Sequence, residues 1–328
     1  MGTYIVGDIH GCYDEWIKLK NKIERQDKEA KFILIGDIVD RGPKVCKMIA
    51  WAMKNITPDG KYQMILGNHE DMKIQWRDDY KRQLNELLTE KRERYGDEFT
   101  RTVDYRDFNP DSYDFAENMC RAGYTDQQVE KIINFFRNLP LYKELKIDMG
   151  NKKQHFIVVH GGITHNCLNE DESFSKRSIK MTNDSVRNYT VRANRENILW
   201  DRTYNGRTWL KNTIVVHGHS PTLLPECEWY GAVPGKICYT WNDINVDCGE
   251  VYNHARSEDG NLAAIRLEDF QEFYAHGHKI REHCNEARNN HKKELMLKTK
   301  RERRQKKKQL TEEDKRLLNE LDKIFGEV

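Results

Sequence analysis

Short runs of apolar, largely β-branched residues recur along the chain, and each stops at a glycine or histidine within a small polar cluster. Residues 4–6 lead into GDIHG, 32–35 into GDIVDRG, 64–66 into GNHE, 156–159 into HGG and 213–216 into HGHS. A continuous apolar run of this length suits a strand covered on both faces, whereas a half-exposed strand would alternate. Helical spacing follows the first two runs, at 14–25 and 44–54, so that strand, polar loop and helix repeat. This alternation predicts an α/β sheet whose polar loops gather at the carboxyl ends of the strands.

The texture changes after residue 70. Residues 73–106 are heavily charged, and DQQVEKIINFFRNL at 126–139 has helical spacing with Pro140 as a stop. A largely helical insertion over 71–154 is therefore expected. The stretch 245–267 (NVDCGEVYNHARSEDGNLAAIRL) reads as two strands joined by a loop, with Asp259 and Gly260 as turn residues, at the sheet's far edge or in a second sheet. Beyond 275 the chain turns His- and Lys-rich and then strongly basic. Thr311, Glu312, Glu313 and Asp314 resemble a helix cap ahead of Leu317, Leu318, Leu321, Ile324 and Phe325 on one face. The expected division is a main domain at 1–275 and a basic helical extension at 276–328.

Composition narrows the class. Of 328 residues, 33% are charged and 38% hydrophobic, and no run of about 18 apolar residues exists for a membrane-spanning helix. Asp8 and His10 interrupt the apolar start, so no export leader is expected and a cytoplasmic location is. The eight cysteines form no C-x-x-C pair and no framework spacing, which favours free thiols in a reducing compartment. The run KTKRERRQKKK at 298–308 holds eight basic residues against one acid. It has no aromatic residue for base stacking, so a solvated charged helix is favoured over a nucleic-acid contact.

The strand ends carry the chemistry. They offer Asp8 and His10, then Asp37, Asn68, His160, and His217 or His219. Oxygen and imidazole donors without thiolate suit divalent manganese, iron or zinc. Six such donors are about what two ions need when one carboxylate is shared and water fills the remaining positions, an arrangement that activates water for attack on phosphorus. Any one of these histidines is more often a packed core residue than a ligand. Five pieces at successive strand ends point instead to a site. Gly7 and Gly11 are read as giving the first loop room to turn.

GDIHG, GDIVDRG, GNHE, HGG and GHS, in this order between about residues 4 and 267, resemble the calcineurin-like metallophosphoesterases. Within these they most resemble the phosphoprotein phosphatase family of serine/threonine phosphatases, in its bacterial and phage branch. Phe135, Phe136, Leu139, Pro140, Leu141, Tyr142, Glu144 and Leu145 also resemble the segment that precedes HGG in that branch. The resemblance implies an α/β four-layer sandwich of two mixed β-sheets flanked by helices, with the catalytic domain at 1–275. It implies two divalent cations, manganese first and iron or zinc next, held by Asp8, His10, Asp37, Asn68, His160 and His219, with Asp37 shared. His219 is preferred over His217 because the family's last ligand lies in a Gly-His element. Asp40 and His69 would form an acid pair that protonates the leaving alkoxide, with activated water as the nucleophile. Arg41, Arg202 and Asn68 would hold phosphate.

The implied activity is a phosphomonoesterase acting on a phosphoprotein or phosphopeptide. Asp40 and Glu70 favour it over the diadenosine tetraphosphatase branch, whose symmetrically cleaving members usually lack both. A dinucleotide or RNA-end substrate is the enzymatic alternative. A scaffold using its basic tail is the non-enzymatic one, disfavoured because every ligand position is filled.

Overall fold

The apolar runs form the middle of two five-stranded sheets. The computed structural model describes residues 1–95, 115, 118–119, 121–150, 153–163, 189–202, 210, 212–228, 231–256 and 259–277. Its elements in order are β1 (Thr3–Val6), α1 (Tyr13–Gln26), β2 (Lys31–Leu34), α2 (Val45–Asn55), β3 (Tyr62–Met64), α3 (Asn68–Tyr95), α4 (Asp126–Arg137), β4 (Tyr142–Asp148) and β5 (Lys153–Val159). There follow α5 (Tyr189–Trp200), β6 (Thr213–His217), α6 (Pro225–Glu228), β7 (Cys238–Tyr239), β8 (Asp243–Asn245), α7 (Glu250–Arg256), β9 (Ala263–Arg266) and β10 (Gln271–Tyr274).

The first sheet has the order β10-β9-β1-β2-β3 and the second β4-β5-β6-β8-β7. Each is mixed. The central pairs β1/β2, β2/β3, β5/β6 and β6/β8 run parallel, and antiparallel strands close the remaining edges. Because side chains alternate along a strand, each apolar run serves two layers. Ile5, Ile33, Phe156, Val158, Ile214 and Val216 meet between the sheets. Their neighbours Tyr4, Val6, Phe32 and Leu34 face outward, onto Trp16, Leu19 and Ile23 of α1 and Met48, Ile49 and Ala52 of α2. The two mixed sheets flanked by helices are thus the expected fold, and double-sided burial explains the absence of alternation.

Three expectations change. The helical stretch expected over 71–154 holds α3 and α4 but ends at Arg137, because β4 pairs with β5 along seven residues and belongs to the second sheet. The stretch 245–267 is not a strand pair. β8 lies in the second sheet, β9 in the first, and α7 stands between them. The third strand ends at Met64, while Ile65 and Leu66 stay buried beyond it. The cap and apolar face expected at 311–325, and the basic run 298–308, lie outside the described residues. Among the described cysteines Cys12, Cys46, Cys227, Cys238 and Cys248 are unbridged. No described helix is long and apolar enough to cross a membrane.

Phe156 is fully buried between the sheets against Phe270, with ring centroids 6.2 Å apart. Phe156→Ala should cost about 3–5 kcal/mol in denaturant unfolding, from lost transfer energy plus a cavity. Met53→Ala, on the exposed side of α2, should stay within about 0.5 kcal/mol.

Candidate active site

Five strand ends converge, and bonds between their loops hold them together. The loop after β1 hangs on the loop after β2. Ile9 and His10 amides donate to the Asp37 carbonyl at 3.1 and 2.7 Å, and the Gly11 amide donates to Ile38 at 2.9 Å. Gly11 makes the expected turn at φ +67°. Gly7 does something else: a Cβ there would collide with the Val246 carbonyl, so its role is to let the loop after β8 come close.

Seven non-glycine residues among those described have left-handed backbone, and five of them are His10, Asp37, Asp40, Arg41 and His219. Such conformations cost on the order of 1–3 kcal/mol each and persist only where the surroundings over-determine them. At Asp37 the determinant is Glu70, fully buried in the first turn of α3. Its Oε2 accepts from the amides of Asp37 (2.8 Å) and Gly67 (3.2 Å), and its Oε1 from Ile38 (2.9 Å) and Val39 (3.3 Å).

Two groups of donors result, each with its ligand atoms within 4.8 Å of one another: His10, Asp37 and His69, and Asp37, His160 and His219. Asp37 is common to both. His160 Nδ1 donates to the Ile35 carbonyl at 2.8 Å, which turns Nε2 toward Asn68 Oδ1 at 2.7 Å and Asp37 Oδ1 at 3.4 Å. His219 Nδ1 is 2.9 Å from the same Asn68 oxygen, and its Nε2 is buried without a hydrogen-bond partner. His10 Nδ1 donates to the Val39 carbonyl at 2.9 Å, leaving Nε2 3.5 Å from Asp37 Oδ2. Asp8 Oδ2 accepts the His219 amide at 3.1 Å, and its Oδ1 is buried without a partner. Asp8 therefore reaches the cluster from the side of the HGHS loop, outside both groups.

The electrostatics suit cations. Burial drives His10 down to about 3 and His219 to about 2, so both present neutral rings. Burial, then the charges of Asp247 and Asp37, push Asp8 well above the usual carboxylate range. Burial alone would raise Asp37 too, but the imidazoles of His160, His69 and His10 hold it low. His160 is raised: burial opposes its charge, and Asp37 outweighs burial. Lone pairs on nitrogen and oxygen thus face each other in a buried acidic cluster, where either protons or cations must sit between them. A set of carboxylate, amide and imidazole donors without thiolate fits divalent ions of the manganese, iron and zinc kind.

Around this cluster stand the other residues singled out in the sequence. His69 Nδ1 donates to Asp40 Oδ2 at 2.6 Å. Arg41 spans His10 Nε2 and His69 Nε2, both at 2.9 Å from its guanidinium nitrogens. Arg202 lies by the HGHS loop, 3.4 Å from Ser220 Oγ, and the Trp200 ring stands edge-on to His219 at 5.8 Å. His217 is engaged elsewhere, with Nε2 2.9 Å from Asp243 and Nδ1 donating to the Gly218 carbonyl at 3.0 Å.

Two residues at the site escaped the sequence reading. Asp247 is buried after β8, accepts the Gly249 amide at 2.9 Å, and is raised to about 6 by burial. Its signal was present, since NVDCG repeats the motif of an apolar strand ending in Asp and Gly. Lys73 lies 1% exposed with its Nζ 2.7 Å from Asp40 Oδ2. A lysine within a charged helical run carries no such signal.

The family model for calcineurin-like phosphoesterase matches residues 1–279. The chain is 25% identical over 258 residues to a protein of Oceanobacillus iheyensis named bis(5'-nucleosyl)-tetraphosphatase PrpE, asymmetrical, a match covering 76% of this chain and 84% of the relative. It is 39% identical over 70 residues to a symmetrical bis(5'-nucleosyl)-tetraphosphatase of Escherichia coli, covering 21% of this chain and 24% of that protein. A solved protein serine/threonine phosphatase from Saccharomyces cerevisiae aligns over 85% of this chain and 81% of its own, at 15% identity and TM-score 0.47, a likeness too remote to bear on substrate.

Because Asp37 belongs to both donor groups, Asp37→Asn should lower the bound metal from about two ions per chain to one or none. Elemental analysis after equilibration with manganese and desalting checks this. Binding should weaken on acidification, since a cation must displace the proton that Asp37 favours on His160, and the raised His160 gains that proton as pH falls.

Proposed function

The chain belongs to the calcineurin-like phosphoesterase family, and from that premise we propose that it hydrolyses phosphoric monoesters, foremost those of serine and threonine in a phosphoprotein or phosphopeptide. The observation that carries this reading is His69, whose Nδ1 donates to Asp40 at 2.6 Å and whose Nε2 accepts from Arg41 at 2.9 Å. The alkoxide of serine or threonine is a poor leaving group, so its departure needs a proton in the transition state. Asp40 keeps the His69 ring turned so that Nε2 faces the substrate. With substrate bound, Arg41 turns from Nε2 to the phosphate and Nε2 takes up a proton. As a water oxygen bonds to phosphorus and the ester P–O bond breaks, Nε2–H passes that proton to the leaving oxygen, and the proton of the water goes to solvent. Arg41, beside that nitrogen, grips phosphate oxygens through its planar fork, and Arg202 grips them from the HGHS side.

Asp8, His10, Asp37, Asn68, His160 and His219 are assigned to two divalent cations, manganese first and iron or zinc next, which when bound supply Lewis acidity toward phosphoryl oxygen and lower the pKa of water. The Asn68 amide is assigned to phosphate as well. We assign the catalytic domain to 1–275 and the basic extension to 276–328, and the cysteines unbridged among the described residues support a cytoplasmic location.

One observation favours a second reading. The Oceanobacillus iheyensis relative, matched over most of its length, is named for dinucleoside tetraphosphate cleavage. A phosphoanhydride leaves with less help from an acid, so the two readings differ in what they ask of His69. Turnover of a phosphoserine peptide, diadenosine tetraphosphate and RNA with terminal phosphates, compared as kcat/KM, separates them. His69→Asn should slow an alkyl phosphoester by on the order of 10²–10⁴. It should slow p-nitrophenyl phosphate far less, because that leaving group needs little protonation. Equal losses on both substrates would remove His69 as the acid.

A further inference from the structure

We propose that Lys73 is a positioning residue for proton transfer, a third member of the Asp40–His69 pair. The proposal rests on the reading of His69 as the acid and goes beyond it. Lys73 Nζ and His69 Nδ1 approach the same oxygen, Asp40 Oδ2, at 2.7 and 2.6 Å. The other carboxylate oxygen, Oδ1, is buried without a hydrogen-bond partner. A carboxylate held by one histidine alone could exchange its two oxygens by rotation. With two donors converging on Oδ2, that oxygen stays on His69.

Charge makes the same point. A lysine 1% exposed must pair its charge, since an uncompensated buried ammonium is strongly unfavourable. The Phe115 ring, with its centroid 5.8 Å from Nζ, gives it a further face to rest on. Lys73 thus fixes the Asp40 carboxylate, and that carboxylate fixes the His69 ring.

The test compares leaving groups. Lys73→Met should lower kcat on a phosphoserine peptide by on the order of 10²-fold with KM little changed, the scale at which a misplaced group costs rate. It should change p-nitrophenyl phosphate turnover by no more than about threefold, since that reaction makes little use of the acid. Lys73→Arg, which keeps the charge, should recover most of the loss. Adding Lys73→Met to Asp40→Asn should cause no further drop, because the lysine acts through that carboxylate. Equal losses on the two substrates, no recovery with arginine, or additive effects in the double variant would each overturn the proposal. Bound metal and thermal unfolding of every variant are measured alongside, and leaving-group selectivity lost in Lys73→Arg at wild-type metal content also counts against it. The His69→Asn comparison keeps the two claims apart: selective loss there with none in Lys73→Met rejects Lys73 and leaves His69 in place.

Discussion

The site depends on one fully buried carboxylate whose two oxygens are taken up by backbone amides. Glu70 takes the amides of Asp37, Ile38, Val39 and Gly67 on its two oxygens. Those bonds hold Asp37 in a left-handed conformation that an L residue otherwise avoids. The Asp37 carbonyl then receives the amides of Ile9 and His10, so the first loop inherits its place from the second. Because Glu70 lies in the first turn of a helix that also carries His69 and Lys73, a single helix start sets the backbone under the donors and under these two side chains together. The hydrophobic sheets bring the loops near one another, and Glu70 decides their conformation.

A second constraint is electrical. Asp8, Asp37 and Asp247 are buried close enough to repel, and the histidines among them have their Nδ1 atoms committed or their second nitrogens turned inward. Such a cluster is unfavourable by itself, because charges cannot leave water without compensation. Arg41 answers part of it by lying across two imidazoles. The strain in the backbone and the repulsion among side chains meet at Asp37. That coincidence separates the strand ends here from ordinary polar turns.

Much of this was legible in the sequence. Continuous apolar runs announced strands buried on both faces, and the polar clusters after them announced where the loops would meet. His160 and Asn68, unremarkable alone, gained meaning from their order along the chain. Other features stayed hidden for physical reasons. Periodicity says that a strand exists and not which sheet receives it, so β8 and β9 read as neighbours although α7 carries the chain from one sheet to the other. β4 alternates little in character and sits at an edge, where pairing on one side suffices. Lys73 looked like one more solvated charge in a charged helix. Glu70 was legible only as a mark of one branch of a family, while its work on the backbone required coordinates.

The bond between His160 Nδ1 and the Ile35 carbonyl joins residues 125 positions apart and spans the two sheets. The donors on either side of it, Asp37 from the first sheet and His160 from the second, converge just beyond. A cation gripped by both would be a cross-link, closing a long loop and restricting the unfolded state as a disulfide does. The sheets could then not part without releasing the ion. Loading would be recorded in the lifetime of the folded molecule as well as in its turnover.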